Sequence, residues 1–112
     1  MPYIKANDNR REALRNGELA LSAGELNYQM FYHIKHGLAT IANLYVFVKQ
    51  FLGEKPNYQK YNDMTGALIR CAKEVERRLN KKSEYLYQLM EYFDNEIAIY
   101  EDLKIVENGD VE

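Results

Sequence analysis

Between Ala23 and Leu52 the chain runs without a proline, and apolar side chains recur at Leu26, Met30, Ile34, Leu38, Ile41, Leu44 or Tyr45, Val48 and Phe51 or Leu52. Steps of three and four are the period of one apolar stripe on a helix. A helix of this length would run roughly 40 Å, about the width of a small domain. Such a stripe is unstable alone and needs partner helices, so the rest of the chain is expected to pack against it.

Composition narrows the class. At 112 residues the chain is expected to form one domain, 1–112, with a core large enough to need no staples. No apolar run approaches the ~20 residues of a membrane span, and polar residues follow Met1 to Lys5, so neither a membrane segment nor a secretory signal is expected. The single cysteine, Cys71, has no internal partner and falls within an apolar helical pattern; the expected setting is cytoplasmic. Fifteen basic residues against seventeen acidic ones give a net charge of −2, which supplies no general field for DNA or RNA. Ten tyrosines and no tryptophan provide flat rings with polar tips, suited to helix interfaces and to stacking on planar ligands.

Taken in order, residues 1–6 read as an extended arm and residues 8–21 as a short helix capped by Asn7 or Asp8 and weakened by Gly17. Ser22 with Glu25 has the pattern of a capping box at the head of the long helix, 23–52, which Gly37 interrupts. Gly53 and Pro56 stop that helix and Asn57 caps the next, 57–80. Asn80 to Ser83 suggests a break before a further helix, 83–102, and two helices are preferred to one rod. In 103–112, Asn108-Gly109 between Ile105, Val106 and Val111 has the signature of a tight hairpin. The expected fold is all-α, an antiparallel bundle of three to four helices, with a short C-terminal β-hairpin that could pair with the Tyr3-Ile4 arm.

Motifs of chemistry are sparse. His33 and His36 have a spacing that binds metal when other helices add ligands, but no further ligands are evident, and neither a metal nor a cofactor is expected. Glu91 and Asp94 form a Glu-x-x-Asp, yet no upstream acidic cluster joins them to hold Mg²⁺. No nucleophile with a neighbouring base and no phosphate loop is present. Arg77 and Arg78, among other bases on the third long segment, are equipment for gripping a phosphate, although interleaved glutamates also fit a solvated face.

The segment Tyr100-Glu-Asp-Leu-Lys-Ile-Val-Glu-Asn-Gly-Asp-Val111 resembles the closing signature of a family of small uncharacterised bacterial, archaeal and phage proteins. Met1-Pro-Tyr-Ile-Lys5, Gly24-Glu-Leu-Asn-Tyr28 and the run from Tyr58 through Asn62-Asp63, Gly66-Ala67-Leu68, Cys71-Ala72-Lys73 and Arg77-Arg78 resemble other segments of that family, in the same order. The resemblance implies no established activity; it does imply that the intervals before Tyr58 and after Arg78 are longer here than is usual. From these motifs the expected function is a non-enzymatic, phage-borne binder that sequesters a nucleotide-like small molecule of host defence signalling. Arg77 and Arg78 would hold phosphate, Tyr28 or Tyr100 would stack on a base, and Asn27, Asn62 or Asn108 would read polar edges with Lys104 beside them. The alternatives are a helical homo-oligomer or partner-docking module, and a metal-dependent nucleotide hydrolase using Glu91 and Asp94. In either of the first two settings a homo-oligomer is expected, with no generic nucleic-acid or membrane partner.

Overall fold

The computed structural model describes residues 4–5 and 9–110, and among them the protein is all-α, with five helices and no strand. These are α1 (Asn9–Arg15), α2 (Ala23–Lys35), α3 (Ile41–Leu52), α4 (Tyr58–Leu79) and α5 (Glu84–Asn108).

The expected long helix is two helices. After Lys35 the chain turns through Gly37 at φ +70°, and the Leu38 and Gly37 amides close back on the His33 and Ile34 carbonyls at 2.8 and 3.2 Å. Those bonds satisfy the last free carbonyls of α2, and glycine adopts the positive φ without a side-chain penalty. Thr40 then starts α3 with a full capping box: its hydroxyl accepts from the Asn43 amide, and the Asn43 side chain accepts from the Thr40 amide. The Ser22 box is only half made. Ser22 accepts from the Glu25 amide, but the Glu25 carboxylate accepts from the Leu21 amide and from Arg10 instead of returning to Ser22.

The first helix is shorter than expected, stopping at Arg15 before Gly17 at φ +91°. Its anticipated caps, Asn7 and Asp8, lie outside the described residues. The break at Asn80 is real: Asn80 takes the left-handed conformation and Ser83 caps α5. The hairpin is replaced by helix. α5 continues to Asn108, whose side chain donates to the Lys104 carbonyl at 3.1 Å, and the Gly109 amide bonds the Ile105 carbonyl at 2.8 Å. Asn-Gly therefore serves here as a helix stop, the other use of a residue pair that tolerates positive φ. Val111 and Tyr3 lie outside the described residues, and the Ile4 carbonyl is occupied by Arg11.

α2 and α4 share the most extensive interface, and the core is assembled around them from Leu14, Leu26, Met30, Leu44, Val48, Met64, Leu68, Val75, Leu86 and Phe93. α4 and α5 run in opposite directions, with Tyr87 donating to Glu76 at one end and Tyr61 against Tyr100 at the other. α3 lies along α5 in the same direction, tied by Tyr45 against Tyr92 and by Lys49 to Glu96 at 3.2 Å. Beyond Tyr100 every described residue of α5 is exposed, so its last turns overhang the bundle. The overhang shows in the overall shape, 47 × 28 × 24 Å, and in a radius of gyration of 14.9 Å; about 13 Å is usual for a compact chain of this length. No helix among the described residues is long and apolar enough to cross a membrane.

Candidate functional site

The site is a corner where three helices each present side chains about one turn apart. α1 contributes Arg11 and Arg15; α2 contributes Gly24, Asn27, Tyr28, Phe31, Tyr32 and Lys35; α4 contributes Glu74 and Arg78. Steps of three or four put each set on one helical face. Together with Ile4 and His36 they enclose a pocket of about 190 Å³.

α1 is too short to hold its place by helix propensity, and buried polar bonds anchor it instead. Gln29, fully buried on α2, donates to the carbonyls of Leu14 and Glu18 at 2.9 and 2.8 Å. Arg10 grips Glu25 with two nitrogens at 3.0 and 2.7 Å, and this holds the Glu25 carboxyl below its ordinary value. A fixed α1 projects Arg11 and Arg15 over α2.

The arginines lie over rings. The guanidinium carbons of Arg11, Arg15 and Arg78 sit 5.3, 4.9 and 4.7 Å from the ring centroids of Tyr28, Tyr32 and Phe31. A guanidinium held over a ring by its charge still has N–H groups to offer other acceptors. Arg15 uses Nε on the Tyr28 hydroxyl at 2.9 Å, which raises the Arg15 pKa, and Arg11 uses Nε and one terminal nitrogen on the Ile4 carbonyl. Arg78 keeps a long contact of 3.7 Å to Glu74. Glu74 is 5% exposed and Asn27 2%, so the pocket has a buried polar floor beneath a cationic and aromatic wall.

Of the residues expected from sequence, Asn27, Tyr28 and Arg78 meet here. Arg77 is exposed and does not line the pocket. Asn62 and Tyr100 line a separate cleft of about 220 Å³ between the start of α4 and α5, and Tyr100, Lys104 and Asn108 border a shallow groove along the end of α5. Sixteen residues of α4 separate Asn62 from Arg78, roughly 24 Å, so the expected residues form two groups and not one site. Lys104 is drawn to Glu107 at 3.3 Å and Asn108 acts as a cap.

Arg11, Arg15, Tyr32, Lys35, His36 and Glu74 were not anticipated as site residues. Arg11 with Arg15 and Tyr28 with Tyr32, each four apart, carried a signal, but nothing in the sequence paired α1 with α2. His33 turns inward, its Nδ1 donating to the Gln29 carbonyl at 2.8 Å and its ring against Phe47, while His36 borders the pocket. No cluster of three or more potential metal ligands occurs among the described residues. Glu91 and Asp94 are exposed on α5.

Fold and pocket together define, among the described residues, an all-α protein of five helices with a cationic, ring-lined corner. The chain belongs to the family described as a domain of unknown function, DUF6899, which matches residues 1–111. Comparison with curated proteins and with solved structures gives no match.

Proposed function

We propose that the corner between α1, α2 and α4 binds a small molecule carrying a phosphate and an aromatic, N–H-bearing ring, a nucleotide-like ligand, without transforming it. The observation that carries this reading is the convergence of Arg11, Arg15, Lys35 and Arg78 around one pocket where Glu74 is the only lining carboxylate among the described residues. Three guanidiniums and an ammonium in a recess attract an anion, and the planar forks match phosphate oxygens. Glu74, buried at the floor, favours a ligand that also presents N–H donors, as the amino edge of a base does.

Size limits the fit. About 190 Å³ is below the ~300–1,000 Å³ of pockets that swallow a drug-sized ligand. The pocket suits a phosphate with part of a ring, leaving the rest of a larger molecule outside. Holding such a molecule without chemistry is sequestration. The biological setting we propose, capture of a host defence signal by a phage-borne protein, rests on the resemblance of the motifs to phage proteins.

The test is thermal unfolding of the protein with mono- and cyclic nucleotides, and with inorganic phosphate as the minimal anion. At a hundred times its dissociation constant a ligand stabilises the fold by about 2.7 kcal/mol, a rise on the order of 10 °C in Tm. A rise with phosphate alone but no larger rise with any nucleotide would reduce the site to an anion site. No rise with either would remove the binding reading.

A further inference from the structure

We infer that α5 pairs antiparallel with α5 of a second copy of this chain, across a two-fold axis passing between Tyr92 and Ile99. Four exposed apolar residues recur on α5 at exact seven-residue intervals: Tyr85, Tyr92, Ile99 and Val106, exposed by 42, 50, 63 and 84%. Leu103, 59% exposed, lies on the same face. A seven-residue apolar repeat is the pattern by which one helix packs along another, and among the described residues Tyr45 of α3 touches only the edge of Tyr92, which stays 50% exposed, while Ile99, Leu103 and Val106 remain open. The last turns, moreover, overhang the bundle, and helical turns standing free in water with apolar side chains need a partner to be stable.

The spacing selects the second copy as that partner. In an antiparallel pair centred between Tyr92 and Ile99, Tyr92 meets the second copy's Ile99, Tyr85 meets its Val106 and Gln88 meets its Leu103. Every contact then occurs twice, as a two-fold interface requires. Each overhang also finds a seat. An apolar groove of about 480 Å³ between α3 and α5, lined by Ile41, Tyr45, Val46 and Tyr92, lies open beside the first half of α5. The pairing lays Leu103 and Val106 of one copy along the entrance of that groove on the other.

Charge agrees with this direction. The overhang, residues 101–110, carries Glu101, Asp102, Glu107 and Asp110 against Lys104, whereas Lys81 and Lys82 precede the start of α5. Antiparallel pairing sets Asp110 of each copy beside Lys81 and Lys82 of the other, with Glu107 opposite Glu84, and opposes the helix dipoles favourably. Glu96, close to the axis, is already paired with Lys49.

The decisive experiment places cysteines at both ends of the repeat. Under mild oxidation the double variant Tyr85→Cys, Val106→Cys is expected to form a covalent dimer, and either single variant is not, since identical positions would lie roughly 32 Å apart. Efficient cross-linking by Val106→Cys alone would overturn the antiparallel arrangement. Sedimentation of the unmodified protein across the micromolar range should report a dimer, and a monomer throughout would overturn the proposal. Leu103→Glu alters an exposed position, so the fold should keep its helicity while self-association weakens at least about 100-fold; a dimer unaffected by it would also count against the pairing.

Discussion

Arg78 lies over the ring of Phe31 with its guanidinium carbon 4.7 Å from the centroid, and this contact between α4 and α2 separates it from Arg77, which faces solvent one position earlier. Adjacent residues on a helix point about 100° apart, so only one of the pair can enter a given pocket. Arg78→Glu should therefore lower affinity for inorganic phosphate or a nucleotide by at least about tenfold, and Arg77→Glu should change it far less. Calorimetric titration of both variants checks this, and equal losses would show a diffuse electrostatic effect instead of a site.

Gln29 joins α1 to α2 through two carbonyls, which makes its effect on the pocket indirect. Gln29→Leu takes one donor from the Leu14 carbonyl, which keeps the Gly17 amide at 3.1 Å, and the side-chain donor from the Glu18 carbonyl, and should cost about 1 kcal/mol in urea unfolding. Because α1 carries Arg11 and Arg15, the same variant should also weaken phosphate binding at temperatures where the rest of the fold is intact. Unchanged affinity would mean that α1 holds its position without this amide.

At Gly37 the backbone has φ +70°, and a methyl group there would meet nothing within 4 Å. The cost of Gly37→Ala is thus conformational and not steric, about 1 kcal/mol, or roughly 4 °C in Tm. Thr40→Ala should cost about as much by removing the cap of α3. A Gly37→Ala protein as stable as the parent would argue that α2 and α3 can join into one helix.

Glu25 links stability to pH. Its carboxyl titrates below its ordinary value in the fold, chiefly because Arg10 donates to it, with the Leu21 amide adding to the effect. That contribution is complete above the unfolded-state value and is lost as pH falls through the lower folded value. Glu25→Gln should accordingly destabilise the protein by about 1 kcal/mol near neutrality, with the difference from the parent shrinking in acid. Unfolding at several pH values from neutral to strongly acidic measures it, and a constant difference would point to packing instead of charge.

Cys71 is fully buried, and desolvation, with Glu74 nearby, pushes its thiol far above the ordinary range. Thiolate is the reactive form, so Cys71 should resist a thiol reagent in the native protein and react promptly once the chain is unfolded. Fast labelling under native conditions would reveal local opening of α4.

Sequence alone determined the all-α class, the stop at Gly53 and Pro56, the break at Asn80 and the inward place of Cys71. Each follows from short-range physics: apolar period, capping side chains, and residues that tolerate or forbid particular backbone angles. Where two local outcomes use the same residues, only the tertiary structure decided between them. Gly37 could have interrupted a helix or ended one, and the Thr40–Asn43 box with the inward packing of His33 made it an end. Asn108-Gly109 could turn a hairpin or stop a helix, and α5 running on to Asn108 with the Gly109 amide closing on the Ile105 carbonyl is the second. Of the candidate site residues, Asn27 and Tyr28 on α2 and Arg78 on α4 were legible in motifs, but their joining with Arg11 and Arg15 was not. That joining depends on Gln29 and Arg10 reaching from one helix to another, and contacts made across space leave no spacing in the chain by which to read them.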